Sequence, residues 1–212
     1  MMIRNIIFDI GRVLVAVNWE PLMEKLGFDT ETSREVTDAM WHNPDWNELD
    51  RGVLSDEEVL KLFIAKAPAR EREIRTVFAH FGELVEMKPG AVEIIERLKA
   101  EGYGVYYLSN YFEYLMHTAP QALEFISHTD GGVFSCHVKI TKPERRIYEI
   151  LCERYALDPR ECLFIDDTER NLTAAQALGI STLQMKEQTQ TLEELYGQIV
   201  SLIRNSECGI RN

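Results

Sequence analysis

A chain of 212 residues with 45% hydrophobic and 27% charged side chains can build a sizeable core, and its 12 glycines and 7 prolines are too few for a low-complexity or collagen-like polymer. The 35 acidic against 23 basic side chains give a formal net charge of −12, a mean field that repels nucleic-acid backbones and anionic membrane surfaces. An anionic substrate would have to be held against that field by a local cation, a lysine or backbone N–H groups.

Ile3 to Ile10 is apolar and β-branched without alternation, as expected of a strand buried on both faces of a parallel sheet, and it ends at Asp9-Ile10-Gly11. Trp19 to Phe81 carries helix signals and no strand. Thr32 with Glu35, and Ser55 with Glu58, read there as two capping boxes, each an N-cap hydroxyl with a carboxylate three residues on. Pro89 is expected to open a helix that places Val92, Ile95 and Leu98 on one face and stops at Gly102. Gly104 to Leu108 follows as a strand, Tyr111 to Phe125 as a partly helical stretch broken by Pro120, and Val133 to Val138 as a further strand. Pro143 is expected to open a helix with Ile147, Ile150 and Leu151 as its apolar stripe. Cys162 to Ile165 reads as a strand, Leu172, Ala175 and Leu178 as one face of a helix ending at Gly179, Ile180 to Met185 as the last strand and Leu192 to Ile203 as the last helix. Strands alternating with crossover helices predict an α/β fold, a doubly wound parallel sheet formed by residues 1–16 and 86–212, with a small helical insert at 17–85.

Cys136, Cys152, Cys162 and Cys208 include no C-x-x-C pair and no histidine at zinc-finger spacing, so all four are expected to be reduced. The amino terminus reaches Asp9 before an apolar run of signal-peptide length develops, and no stretch approaches a membrane span, which predicts a cytoplasmic protein. The expected partner is a small molecule, not nucleic acid or membrane, and the expected state is a monomer or weak homodimer.

Ligands of open parallel sheets bind at the carboxyl ends of the strands. Those ends carry Asp9, Ser109 with Asn110, and Asp166 with Asp167, while Lys142 lies in the loop before the Pro143 helix. Three carboxylates, a hydroxyl and a lysine are what a magnesium-assisted phosphoryl transfer needs on an acidic protein. Asp166 and Asp167 are adjacent like charges and repel unless a cation lies between them and Asp9.

In this order, and with a helical insert after the first, Asp9-Ile10-Gly11-Arg12-Val13, Ser109-Asn110, Lys142-Pro143 and Asp166-Asp167 resemble the four motifs of the haloacid dehalogenase superfamily of phosphatases. Phe8 to Gly11, Arg51-Gly52 with Ser55-Asp56-Glu57, and Lys142-Pro143-Glu144 resemble most the bacterial sugar-phosphate phosphatases, with glucose 1-phosphate as the implied substrate. The resemblance implies Asp9 as the nucleophile that forms an aspartyl-phosphate. It implies Mg²⁺ held by Asp9, the Gly11 carbonyl, Asp166 and Asp167, with Asp167 as the expected direct ligand and Asp166 second or through water. Ser109, Asn110 and Lys142 would bind the phosphoryl group, Ser109 and Lys142 also acting in catalysis.

One departure counts against activity. Most phosphatases of the superfamily carry a second Asp two residues after the nucleophile to protonate the leaving oxygen, and this chain has Gly11 there. Such acid–base help is worth a factor of about 10² to 10⁴. An acidic leaving group, an ordered water or an acid from the insert would offset its loss, and the resembling sugar phosphatases also have Gly at this position. In the insert, Trp41, His42, Asp45, Trp46 and Asn47 form an aromatic and polar cluster suited to a sugar ring, with Trp46 the expected substrate contact; the same tryptophans could equally be core. Tyr111, Phe112 and Tyr114 are expected near the same pocket, and Arg12 could reach phosphate or solvent. His80, His117, His128 and His137 offer no pair at ligand spacing. The alternatives are a 2-haloacid dehalogenase, and a catalytically quiet phospho-ligand-binding relative that lost turnover with the missing Asp.

Overall fold

Apolar runs that lack alternation have become the middle of a parallel sheet. The computed structural model describes residues 2–186 and 190–208. In chain order the strands and α-helices are β1 (Asn5–Phe8), β2 (Val15–Val17), α1 (Trp19–Lys25), α2 (Thr30–Ala39), α3 (Trp46–Arg51), α4 (Asp56–Lys66), α5 (Glu71–Ala79), β3 (Val85–Met87), α6 (Ala91–Ala100), β4 (Gly104–Ser109), α7 (Glu113–Thr118), β5 (Gly131–Phe134), α8 (Ser135–Val138), α9 (Arg145–Tyr155), β6 (Cys162–Asp166), α10 (Glu169–Gln176), β7 (Ser181–Gln184) and α11 (Leu192–Cys208). Five strands pair in the order β5-β4-β1-β6-β7, each pair parallel. From β1 the chain builds outward to β4 and β5, then returns to the other side for β6 and β7, so the order reverses beside β1.

The pleat sorts the side chains of β1. Ile6 and Phe8 join Val105, Leu163 and Ile165 on one face, covered by Ile94, Ile95 and Leu98 of α6 and by Leu195 and Ile199 of α11. Ile7 joins Leu108 and Phe164 on the other, under Ile147, Tyr148 and Leu151 of α9 and Leu172 and Ala175 of α10. Every residue of β6 is buried, whereas β7 at the sheet edge has none fully buried.

Helices α1 to α5 lie between β2 and β3, which pair antiparallel as a stem with Val15 opposite Met87. Neither strand is legible along the chain, because three residues are too few for a periodic signal. The insert does not have a separate interior: Val36, Phe63, Ile74 and Phe81 belong to the same apolar cluster as Ile6 and Phe8.

Several local expectations are corrected. Residues 135–138 are helical and not strand, since Ser135 turns inward and its hydroxyl ties the Tyr111 N–H and the Asp50 carbonyl. Thr32 does not cap α2; Asp29 does, accepting the Thr32 N–H at 2.7 Å, and Glu35 instead pairs with Arg70 at 2.7 Å. The Ser55–Glu58 capping box is present. Pro89 precedes its helix because Gly90 is left-handed (φ 88°), and Pro143 precedes α9 because Thr141 and Glu144 close a turn around it. Cys136, Cys152 and Cys162 are free thiols; Cys208 lies outside the residues whose side chains are described. Among the described residues no helix is long and apolar enough to cross a membrane.

Candidate active site

The carboxyl ends of β1, β4 and β6 converge at the reversal of strand order, the place where such sheets bind ligands. After β1 the chain folds into a tight loop in which the N–H groups of Val13, Leu14 and Val15 all point at the Ile10 carbonyl, at 3.2, 2.9 and 2.9 Å. Arg12 takes the left-handed conformation (φ 61°), its N–H donates to the Val15 carbonyl, and Lys88 donates to its carbonyl. The loop is self-satisfied, so Asp9 is presented on rigid backbone; its Oδ1 accepts the Ile10 N–H at 2.7 Å.

Lys142 lies between two carboxylates, with Nζ 2.8 Å from Asp9 Oδ1 and 2.7 Å from Asp166 Oδ2, and is 2% exposed. Asn110 fixes the lysine's backbone by a reciprocal pair: its Oδ1 accepts the Lys142 N–H at 2.7 Å and its Nδ2 donates to the Lys142 carbonyl at 3.1 Å. Burial alone would lower the lysine's pKa, but Asp166 and Asp9 outweigh it and raise it, so the ammonium is charged. For Asp9 burial dominates and pushes the carboxyl up, with Lys142 opposing and Asp166 and Asp167 adding to the rise. A divalent cation beside these carboxylates would draw Asp9 back down.

Asp166 and Asp167 are neighbours with different fates. Asp166 is wholly buried and saturated: besides Lys142 it accepts Asn171 Nδ2 at 3.1 Å on both oxygens and the Thr168 N–H at 2.8 Å. Asp167 turns toward the cleft, held by the Thr168 hydroxyl at 3.0 Å and 3.6 Å from Arg12 Nη1. One oxygen from each of Asp9, Asp166 and Asp167 lies within 4.8 Å of the others. Hard carboxylate oxygens so spaced, on a rim with one buried lysine, fit a hard divalent cation such as magnesium. The Asn171 Oδ1, buried beside them, has no partner among the described residues and remains open as an acceptor.

These groups open on a cleft of about 430 Å³ whose rim includes Asp9, Gly11, Asn110, Lys142 and Asp167, and whose wall comes from the insert through Trp41, His42, Trp46, Asn47 and Asp50. That volume suits a small molecule. Trp46 borders the cleft and packs edge-on to Trp41 with ring centroids 4.9 Å apart; Arg12 lies over the Trp41 ring at 5.3 Å. Ser109 ends β4 as expected but does not border the cleft: it is 1% exposed and its hydroxyl donates to the Asn110 carbonyl at 3.3 Å. Tyr111 and Phe112 are core and not pocket wall, each 4% exposed, with Phe112 packed against Trp46 and Phe81.

Several cleft residues were not singled out in the sequence, Thr168, Asn171, Arg170 and Asp50 among them. Thr168 and Asn171 follow Asp166 by two and five residues, a spacing that sets both on the first turn after β6, and that spacing was readable. Arg170 and Asp50 border the cleft through tertiary placement alone.

The fold and this rim define a class. Residues 3–179 match the model of the haloacid dehalogenase-like hydrolases, and the chain belongs to that family. Among its relatives is a D-ribitol-5-phosphate phosphatase of Bacteroides thetaiotaomicron, 29% identical over 92% of this chain and 97% of that protein. An (S)-2-haloacid dehalogenase of Burkholderia cepacia is 32% identical over 47% of this chain and 43% of its own length. The chain spans less than half the length of the first curated relatives it matches. In fold it resembles a haloacid dehalogenase family enzyme of Bacteroides thetaiotaomicron solved with magnesium and inorganic phosphate, at a TM-score of 0.70 and 22% identity, covering 91% of this chain and 98% of that one.

Proposed function

We propose that this hydrolase is a magnesium-dependent phosphatase acting on a small phosphate monoester, a sugar or polyol phosphate such as glucose 1-phosphate or ribitol 5-phosphate. Residues 17–85 serve as a cap over a catalytic core of residues 1–16 and 86–212. The observation that carries this is Lys142, charged and buried between Asp9 and Asp166 at 2.8 and 2.7 Å, with Asp167 free of that pair and turned to the cleft. A rim of this kind binds a phosphoryl group only if a second cation joins the lysine, and the donor set suits one. The near full-length match to a polyol-phosphate phosphatase supports the substrate class.

Asp9, Asp167 and the Gly11 carbonyl would hold Mg²⁺, with Asp166 reaching it through water because its own oxygens are already occupied, and the ion would supply charge neutralisation of the phosphoryl oxygens. The free Oδ2 of Asp9 attacks phosphorus in line, its other oxygen being fixed by Lys142 and the Ile10 N–H. Lys142 holds the phosphoryl charge, and Asn110 keeps the lysine in register. The Ser109 hydroxyl, buried and outside the cleft wall, holds the Asn110 carbonyl at 3.3 Å and so acts on the phosphoryl site through Asn110. The insert excludes water and meets the alcohol portion through Trp46.

The dehalogenase match favours a second reading, attack of Asp9 on carbon. It covers about half of the chain, and a haloacid gives three clustered carboxylates no cation-dependent task. Phosphate release from p-nitrophenyl phosphate and from a panel of sugar and polyol phosphates, with magnesium and with chelator, decides between them. The expected result is turnover that needs magnesium and is lost in Asp9→Asn. Halide release that ignores the chelator would establish the other reading, and preference for nucleoside monophosphates would overturn the substrate class alone.

A further inference from the structure

Asp50 stands near the end of α3, borders the cleft from the insert, and is 7% exposed. Unlike Asp9 and Asp166, which share Lys142, its carboxyl makes no hydrogen bond or ion pair with any described residue. Its backbone, by contrast, is tightly fixed. The Ser135 hydroxyl donates to its carbonyl at 2.5 Å, Arg51 pairs with Glu144 at 2.9 Å, and Lys139 donates to the Gly52 carbonyl at 2.5 Å. Gly52 is left-handed (φ 64°), and a Cβ there would stand 3.0 Å from that of Cys136. The loop that anchors this end of α3 is the one that carries Lys142, so acid and lysine are set relative to each other.

A buried carboxyl without partners is costly to ionise. Burial pushes Asp50 up to about 7, with the Lys142 ammonium drawing it back. The other charged or titratable side chains bordering the cleft are Asp9, Arg12, His42, Lys142, Asp167 and Arg170. Beneath α3 the Cys136 thiol is kept neutral, pushed by burial to about 11. Of the other cleft side chains that could carry a proton, Asp9 is likewise pushed up by burial but is bound to Lys142 and is the proposed nucleophile, and His42 is solvent-exposed and engaged with Asp38 at 2.9 Å. Gly11 offers no side chain.

We propose that Asp50 is the proton donor to the leaving alcohol and the base for the water that follows. This rests on the phosphatase reading above. As the Asp9 oxygen bonds to phosphorus and the ester P–O bond breaks, the Asp50 O–H proton passes to the departing oxygen, releasing a neutral alcohol and leaving Asp50 as carboxylate. Water then attacks the aspartyl-phosphate, its proton returns to Asp50, and cleavage of the bond to Asp9 frees inorganic phosphate.

The test compares two esters on the magnesium-loaded enzyme: ribitol 5-phosphate, whose alkoxide needs a proton to leave, and p-nitrophenyl phosphate, whose phenolate does not. Because kcat/KM reports only steps up to aspartyl-phosphate formation, Asp50→Asn should lower it about 10²-fold or more for ribitol 5-phosphate and less than about 5-fold for p-nitrophenyl phosphate. In the unaltered enzyme, kcat/KM for the alkyl ester should fall as pH rises through the Asp50 titration, and that for the aryl ester should lack this limb. Equal losses on both esters in Asp50→Asn, identical pH profiles for the two esters, or transfer of the selective loss to His42→Gln would overturn the assignment. Turnover that survives Asp9→Asn would instead overturn the phosphatase reading beneath it.

Discussion

The rim of the sheet and the underside of the insert face the same cleft, and they hold their polar groups in opposite ways. On the rim each carboxylate has assigned partners: Asp166 accepts from Lys142, Asn171 and Thr168, and Asp9 from Lys142 and its own neighbour's N–H. On the insert Asp50 is as buried as Asp9, both 7% exposed, yet its carboxyl has no hydrogen-bond or ion-pair partner among the described residues. The partnered groups are held in a fixed orientation, as the proposed in-line attack on phosphorus requires, whereas burial without a partner disfavours the ionised form of Asp50, as the proposed proton transfer requires.

The contrast can be broken at each side. Asp9→Asn should abolish turnover, by roughly 10³-fold or more, measured as phosphate release. Lys142→Met should lose both activity and about 3–5 kcal/mol of stability in urea titrations at neutral pH, since it strands two buried carboxylates; a loss under about 1 kcal/mol would show that the rim is less tightly coupled than its distances imply.

Asp50 predicts the opposite stability effect. Its folded pKa of about 7 lies above the ordinary carboxyl value of 3.8, so between those values the folded state holds a proton that the unfolded state has released. Its contribution is complete at low pH and is lost as pH rises through the folded pKa. Asp50→Asn should therefore match the parent near about pH 4 and exceed it by about 2–4 kcal/mol near about pH 8, in denaturant titrations at both. A constant offset across pH would remove the protonated acid from the account. Trp46→Ala should raise KM for a sugar or polyol phosphate about tenfold with a smaller change in kcat, measured by initial rates. The smallest effect belongs to Ser55→Ala at the start of α4, away from the cleft lining: about 1 kcal/mol less stable by thermal or urea unfolding, from the lost N-cap, with turnover unchanged.

Much of this molecule was legible in its residues. Uninterrupted apolar strands ending in Asp9, Ser109 and Asp166 imply a parallel sheet with chemistry at one rim, since only a sheet covered on both faces tolerates them. Ser55 and Glu58 marked a helix start because capping is local. Where a competing local group existed the signal failed: Asp29 took the cap expected of Thr32, and Ser135 ended a strand expected to run to Val138. The aromatics after Asn110 could not be told from pocket lining, because core and pocket ask for the same residue types.

By itself the sequence determined the alternation of strand and helix, the place of the insert and the residues gathered at the rim, because these follow from periodicity, capping and the strand-end rule, all readable along the chain. Tertiary structure alone decided that Asp166 is spent on Lys142 and Asn171 while Asp167 faces the cleft, and that Asp50, 41 positions beyond Asp9, arrives there with no partner among the described residues. Adjacent or unremarkable residues acquire different chemistry only when packing fixes which way each points, and how much water and how many donors reach it.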